Sequence, residues 1–290
     1  MTGLLRPGLY VVATPIGNLE DLSPRAERVL REAAIVAAED TRTSKTLLTR
    51  AASQARLMSL TEHNVEERTP VLLEAAREAI VALVSDAGTP VIADPGARLV
   101  AAGHAALVPV FGVAGPSALA TAISVSGFEG SDVHFLGFLP KARGERATRL
   151  RNAARAASVL VFFESPGRLS VSLGDVAENL NDPEVVVCRE LTKLHEEVAR
   201  GKASEMAPRF ADTRGECTVV VRVEPDNEDA DIDAVRAYMA EMARAGARRA
   251  GAAGSVHRQR LQRLEAAGHR RQTEARMTLR SAAGRRGWPC

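Results

Sequence analysis

Short, continuous apolar runs alternate with amphipathic stretches through most of this 290-residue chain, and that alternation restricts its fold more than any other feature. Residues 9–14 (LYVVAT) read as a buried strand. Residues 24–33 read as a helix, with Ser23 as its N-cap and Pro24 at the first helical position. Residues 35–38, 57–60, 80–85 and 107–111 read as further strands. Helical patterns at 44–50, 66–79, 97–102 and 117–125 fall between and after them. Strands that are apolar along their whole length need cover on both faces, so the expected arrangement is a mostly parallel, doubly wound sheet.

A break falls at residues 127–132. Beyond it, strands are expected at 133–139, 159–163, 185–189, 197–200 and 217–223, with helices only around 144–156 and 167–180. More strands and fewer crossover helices predict a mixed sheet. The length suits about two domains. The expected division is a first α/β domain at 1–127, a second at 128–224, and a remainder at 225–290.

That remainder differs in charge. Net charge is +2, but from Arg244 onward twelve arginines face two acids, Glu265 and Glu274. The tail therefore carries +10 and residues 1–243 carry −8. Acidic residues 224–233 read as a linker and 234–249 as the start of a helix. Past Arg249 the apolar period dissolves, leaving three readings: a basic RNA-binding arm, a short helix around 259–267, or the product of a shifted frame in a GC-rich gene. Cys188, Cys217 and Cys290 are odd in number and lack metal-ligand spacing, which argues against a disulfide framework or a zinc site. No apolar run has the length of a membrane span, and residues 1–7 lack signal-peptide character, so a cytoplasmic protein without membrane attachment is expected.

In an open α/β sheet, ligands bind beyond the carboxyl ends of the strands. Three loops fall there: 14–19 (TPIGNL), 86–96 (DAGTPVIADPG) and 115–118 (GPSA). Each combines glycine, which allows close backbone approach, with proline, which stiffens the loop. One such loop is ordinary turn punctuation; three on successive strands suggest a site. The phosphate-binding motif G-x-x-x-x-G-K-[ST], the dinucleotide fingerprint G-x-G-x-x-G and the hydrolase elbow G-x-S-x-G are all absent.

Together with VVATPIGNLEDL at 11–22, AAEDTRTSKTLL at 37–48, SDAGTPVIADPG at 85–96, GPSALATAIS at 115–124, GFLP at 137–140, FFESPGRL at 162–169 and CRELTKLHEEVARG at 188–201, the sequence resembles the tetrapyrrole-methylase superfamily. Within it the pattern is similar to the branch that methylates small-subunit ribosomal RNA. The resemblance implies a two-domain fold with S-adenosylmethionine between the domains, acting on a cytidine ribose 2′-hydroxyl. It implies donor contacts at Pro15 and Gly17, at Asp86, Ala87, Gly88, Thr89 and Ile92, at Ser117 and Ala118, and at Glu164 and Leu191. It also implies ribosomal RNA or the 30S subunit as partner, and a homodimer.

A sulfonium donor suits a site offering carbonyls and carboxylates, for which Asp86, Asp94 and Glu164 are candidates. A neutral ribose hydroxyl is a poor nucleophile, so a general base or nearby cation would help. Glu39, Asp40 and Lys193 are the leading candidates, with Glu164 and Glu190 as further ones. Asp40 serves equally well as a helix cap, and Arg189–Glu190 as an ion pair. His63 and His195 read as surface residues, His104 and His134 as structural, and Cys188 as packed in its strand. Lys141, Arg143, Arg146, Arg149, Arg151 and Arg155 form a basic segment read here as an RNA contact, extended by Arg25, Arg28, Arg42 and Lys45, against the alternative of a solvated helix face. The rival functions are methylation of a tetrapyrrole or other small molecule, and a non-catalytic RNA-binding assembly factor.

Overall fold

The computed structural model describes residues 4–130 and 132–223. The linker, helix and basic tail expected beyond residue 223 lie outside the described residues.

The first half contains β1 (Gly8–Val12), α1 (Pro24–Glu32), β2 (Ile35–Ala38), α2 (Thr41–Arg50), β3 (Arg56–Ser59), α3 (Val65–Glu78), β4 (Ile80–Leu83), α4 (Ala97–Ala105), β5 (Val110–Val113) and α5 (Ala118–Ser126). Its sheet runs β3-β2-β4-β1-β5, with every pairing parallel. Alternate strand residues fill opposite faces. Tyr10, Val12, Val36 and Ala82 pack with α1 and α2. Leu9, Ile35, Ala37 and Val81 pack with α3 and α4. This is the doubly wound sheet that continuous apolar strands require. Ser23 caps α1 by accepting the Ala26 amide at 3.1 Å, as its position before Pro24 predicts.

The second half contains β6 (Val133–Phe138), α6 (Arg143–Ala154), β7 (Val159–Glu164), α7 (Pro166–Asn179), β8 (Glu184–Arg189), β9 (Glu197–Lys202), α8 (Ala203–Arg209) and β10 (Cys217–Arg222). Its order is β6-β7-β10-β8-β9, parallel at β6/β7 and antiparallel elsewhere, the expected mixed sheet. One face packs on α6, α7 and α8 through residues such as Leu160, Phe162 and Val219. The other face, with Val161, Val186 and Val220, packs on Ala122 of α5 and on Ile16 from the loop after β1. That apolar contact joins the two halves and brings their loops together.

The main departures from the sequence reading are α2 starting at Thr41, α4 running on to Ala105, a shifted β5 and the unexpected α8. The strand expected at 107–111 begins at Val110, because α4 runs on to Ala105 and ends through a left-handed Leu107 (φ +57°) that is 88% exposed. The helix α8 carries no clear apolar period, burying only Ala203 and Met206.

Candidate active site

Four neighbouring strands, β2, β4, β1 and β5, point their carboxyl ends at one edge. The loops after β1 and β4 are bonded to each other: the Thr14 amide donates to the Gly88 carbonyl at 2.8 Å and the Gly88 amide returns a bond at 3.1 Å. The Thr89 hydroxyl donates to the Pro116 carbonyl at 3.0 Å, tying in the third loop. Gly88 is left-handed (φ +80°), and a Cβ there would lie 3.2 Å from Ile16 Cγ2. Val91, β-branched, is held at φ +76°, a conformation maintained only under local constraint.

A cavity of about 350 Å³ opens between the halves. Ala87, Gly88, Thr89 and Ile92 form one wall together with Ser117 and Ala118. Glu164 and Phe163 belong to the opposite wall. Ser117 also caps α5. Asp94, Glu164 and Glu216 line the cavity, whereas no lysine or arginine does so among the described residues. An apolar, carboxylate-bearing cavity suits an adenosyl group attached to a sulfonium and an ammonium. The Glu164 carboxylate is fully engaged, accepting from the Ser165 amide (2.9 Å) and the Ser172 hydroxyl (2.6 Å) and pairing with Arg168 (3.3 Å). It therefore organises the wall.

A second cavity of about 360 Å³ adjoins the first, sharing Ile16, Ala87 and Glu216 with it. Pro15, Gly17 and Asp86 line this second cavity, not the first. Lys193 reaches over Gly17, its ammonium donating to Glu190 at 2.8 Å and Glu216 at 3.0 Å. These carboxylates raise the lysine's pKa against the opposing effect of its burial, keeping it charged. Leu191 lines neither cavity; it is buried beside Ile16 in the apolar contact joining the halves. Thr192 (φ +66°) follows it and accepts the Asn18 amide at 3.1 Å.

Asp40 is the N-cap of α2. Its Oδ1 accepts the Arg42 amide at 2.7 Å and its Oδ2 pairs with the Arg42 guanidinium at 2.9 Å. These bonds hold its pKa below the usual range, leaving a weak base. Glu39 is exposed, and its pKa is raised by partial burial and by Asp86, Glu62 and Asp40. Asp94 is pushed up to about 6 by burial and by Glu39 and Asp86. The suggested Arg189–Glu190 pair does not form, since Arg189 pairs with Glu197 at 3.1 Å and Glu190 with Lys193.

Much of the basic segment is spoken for. Arg146 is buried, bonding Asp175 at 2.6 Å and the carbonyls of Pro140 and Lys141. Arg143 pairs with Asp175 and Glu178, Arg149 bonds the Leu136 carbonyl, and Arg151 bonds Asn179. Arg146 is thus buried as a brace for α6, whereas Lys141, Arg143, Arg149, Arg151 and Arg155 stay exposed on its outer side. His104 and His134, read as structural, are both exposed. Cys188 is buried in its strand, which pushes its thiol up to about 12. Glu216 carries no recognisable sequence signal and Phe138 only its place in the GFLP run; the pairing of β10 with β8 and the register shift in β6 bring them to the cleft.

The tetrapyrrole (corrin/porphyrin) methylase family model matches residues 8–207. Ribosomal RNA small subunit methyltransferase I of Thermotoga maritima is 45% identical over 216 residues, covering 73% of this chain and 97% of that protein. The protein of the same name from Micromonospora olivasterospora is 42% identical over 237 residues, covering 80% and 76%. Among solved structures, uroporphyrin-III C-methyl transferase from Thermus thermophilus, complexed with S-adenyl homocysteine, is similar in fold. Its TM-score is 0.55 at 21% identity, covering 74% of this chain and 97% of that one. The cobalt precorrin-4 methyltransferase CbiF has a TM-score of 0.56 at 19% identity, covering 76% and 98%.

Proposed function

This chain belongs to the tetrapyrrole (corrin/porphyrin) methylase family, and from that premise we propose that it methylates small-subunit (16S) ribosomal RNA, using S-adenosylmethionine, at the ribose 2′-hydroxyl of a cytidine. The observation that carries the acceptor class is 45% identity along 97% of a protein named ribosomal RNA small subunit methyltransferase I. Residues 1–127 then act as the donor-binding domain and 128–224 as the domain that completes the cleft. The acceptor is the RNA or the assembled 30S particle, and the enzyme works in the cytoplasm as a homodimer. Among the described residues, no helix is long and apolar enough to cross a membrane.

When bound, S-adenosylmethionine supplies an electrophilic methyl group on a sulfonium. Ala87, Gly88, Thr89, Ile92, Ser117 and Ala118 hold it, with Glu164 bracing the far wall. Pro15, Gly17 and Asp86 shape the adjoining acceptor cavity, and Leu191 supports it from the apolar contact between the halves. Lys193 lies beside that cavity, where its charge lowers the pKa of a bound hydroxyl. The proton acceptor comes from the carboxylate cluster of Glu39, Asp86 and Asp94. Asp94 is best tuned for that role, because a base with a pKa near the working pH is most effective. Asp40 acts through the cap that orients α2 and through its amide, which donates to Asp86 at 3.0 Å. The two adjoining cavities would hold donor and acceptor side by side, and such positioning can supply much of the rate enhancement.

Tritium transfer from labelled S-adenosylmethionine to purified small subunits lacking the modification tests this function. Digestion to nucleosides should give labelled 2′-O-methylcytidine. Donor binding without transfer to RNA, or transfer to a tetrapyrrole instead, would refute the acceptor.

A further inference from the structure

Phe138 is 58% exposed and lines the mouth of the donor cavity. A strand's side chains alternate between faces. Phe135 faces the joining contact between the halves and Leu136 faces the α6–α7 core, so regular alternation would send Phe138 to the core side. It does not go there. Gly137 is left-handed (φ +64°), and the β6/β7 register shifts between Phe135 and Phe138. This bulge turns Phe138 onto the cleft side, where it pairs with Phe163 in sheet register and edge-to-face at 5.8 Å. Phe135 packs against the same ring at 4.9 Å. Three of the chain's seven phenylalanines thus meet at one rim. Bulges near active sites commonly re-aim a side chain in this way.

The loop beyond the ring is fixed as firmly. Arg168 donates to the carbonyls of Leu139 (2.8 Å) and Pro140 (3.0 Å). Arg146 donates to those of Pro140 (3.0 Å) and Lys141 (2.9 Å). Arg168 also pairs with Glu164 in the donor cavity wall. A rigid, half-exposed aromatic face at the mouth is therefore locked to the site behind it.

We infer that Phe138 is the platform on which the base of the acceptor nucleotide stacks, an inference that rests on the RNA acceptor proposed above. A small ligand buries most of its surface in its cavity, so a ring left this open at the rim is available to something larger. Proteins that take single-stranded RNA stack its splayed bases on aromatic side chains, and this ring offers such a face beside the cleft. Phe138 is a positioning residue and takes no part in the chemistry.

The test uses the full chain and the variants Phe138→Ala, Phe138→Leu and Phe138→Tyr, checked for unchanged melting. Donor Kd is measured by calorimetry without RNA, and kcat and KM with unmodified small subunits. Phe138→Ala and Phe138→Leu should raise KM by roughly 5- to 150-fold, the range for loss of one base–aromatic stack, while leaving donor Kd unchanged. Phe138→Tyr should behave as wild type. A loss confined to donor Kd would make the ring an adenine contact, and wild-type behaviour of Phe138→Leu would make it an apolar filler; either overturns the inference. Failure of the acceptor reading shows separately, as no transfer by the wild type. The platform is then read from affinity for a fluorescent single-stranded oligoribonucleotide, and equal affinities of wild type and Phe138→Ala would overturn it.

Discussion

The stem of Lys193 occupies the space that a side chain on Gly17 would need: a Cβ built on Gly17 would overlap Lys193 Cγ and lie 3.1 Å from the Thr192 hydroxyl. The loop after β1 and the loop after β8 therefore fit together only because residue 17 has no side chain. That fit places the lysine's ammonium between Glu190 and Glu216 at the adjoining cavity.

Gly17→Ala should displace the lysine and loosen this contact, with an overpacking penalty of about 1–3 kcal/mol. Denaturant unfolding measures the penalty. Lys193→Met, which keeps the stem and removes the charge, should instead retain donor Kd and lower kcat by about 10²-fold or more. Equal kcat in Lys193→Met and wild type would remove the lysine from the chemistry.

Gly88 is left-handed and faces Ile16 across 3.2 Å. Gly88→Ala should be strained by about 1–2 kcal/mol. Gly88→Arg should keep the fold, seen by circular dichroism, and abolish donor binding, because its bulk fills the cavity. An unchanged calorimetric Kd for Gly88→Arg would sink the placement of the donor.

Asp94 holds its proton up to about pH 6 in the folded protein, against a reference value of 3.8. The folded state therefore binds the proton more tightly, and its stability falls as pH rises between these two values. Asp94→Asn should melt higher than wild type above pH 6, with the difference vanishing below pH 3.8. If Asp94 accepts the hydroxyl proton, wild-type kcat/KM rises through about pH 6, and the variant should lose that step. A wild-type profile flat across this range would exclude Asp94 as the base.

Arg146 and Asp175 form a buried pair, with side chains 4% and 5% exposed. Removing one partner of such a pair typically costs about 3–5 kcal/mol. Arg146→Met should lose stability on that scale in urea unfolding, without changing the salt dependence of RNA binding. A lower salt slope with unchanged stability would return Arg146 to the RNA-contacting role suggested by the sequence.

The sequence by itself determined the doubly wound first sheet, the mixed second sheet and the three loops. Those follow from local periodicity, from strands apolar on both faces, and from glycine and proline at strand ends, none of which needs a distant partner. It could not determine which charges were free. Asp40 reads equally as a cap or a base in the sequence, and only the structure shows it capping α2 with Arg42 on both carboxylate oxygens. Within the basic segment, only the structure separates Arg146, buried against Asp175 of α7, from the exposed Arg143, Arg149 and Arg151. Only the tertiary structure brought Glu216 beside Lys193 and Phe138 to the cleft, the first by antiparallel pairing of β8 with β10 and the second by the bulge at Gly137. A charged or aromatic side chain takes its role from the groups packed against it, and those are chosen by contacts between residues far apart in the chain.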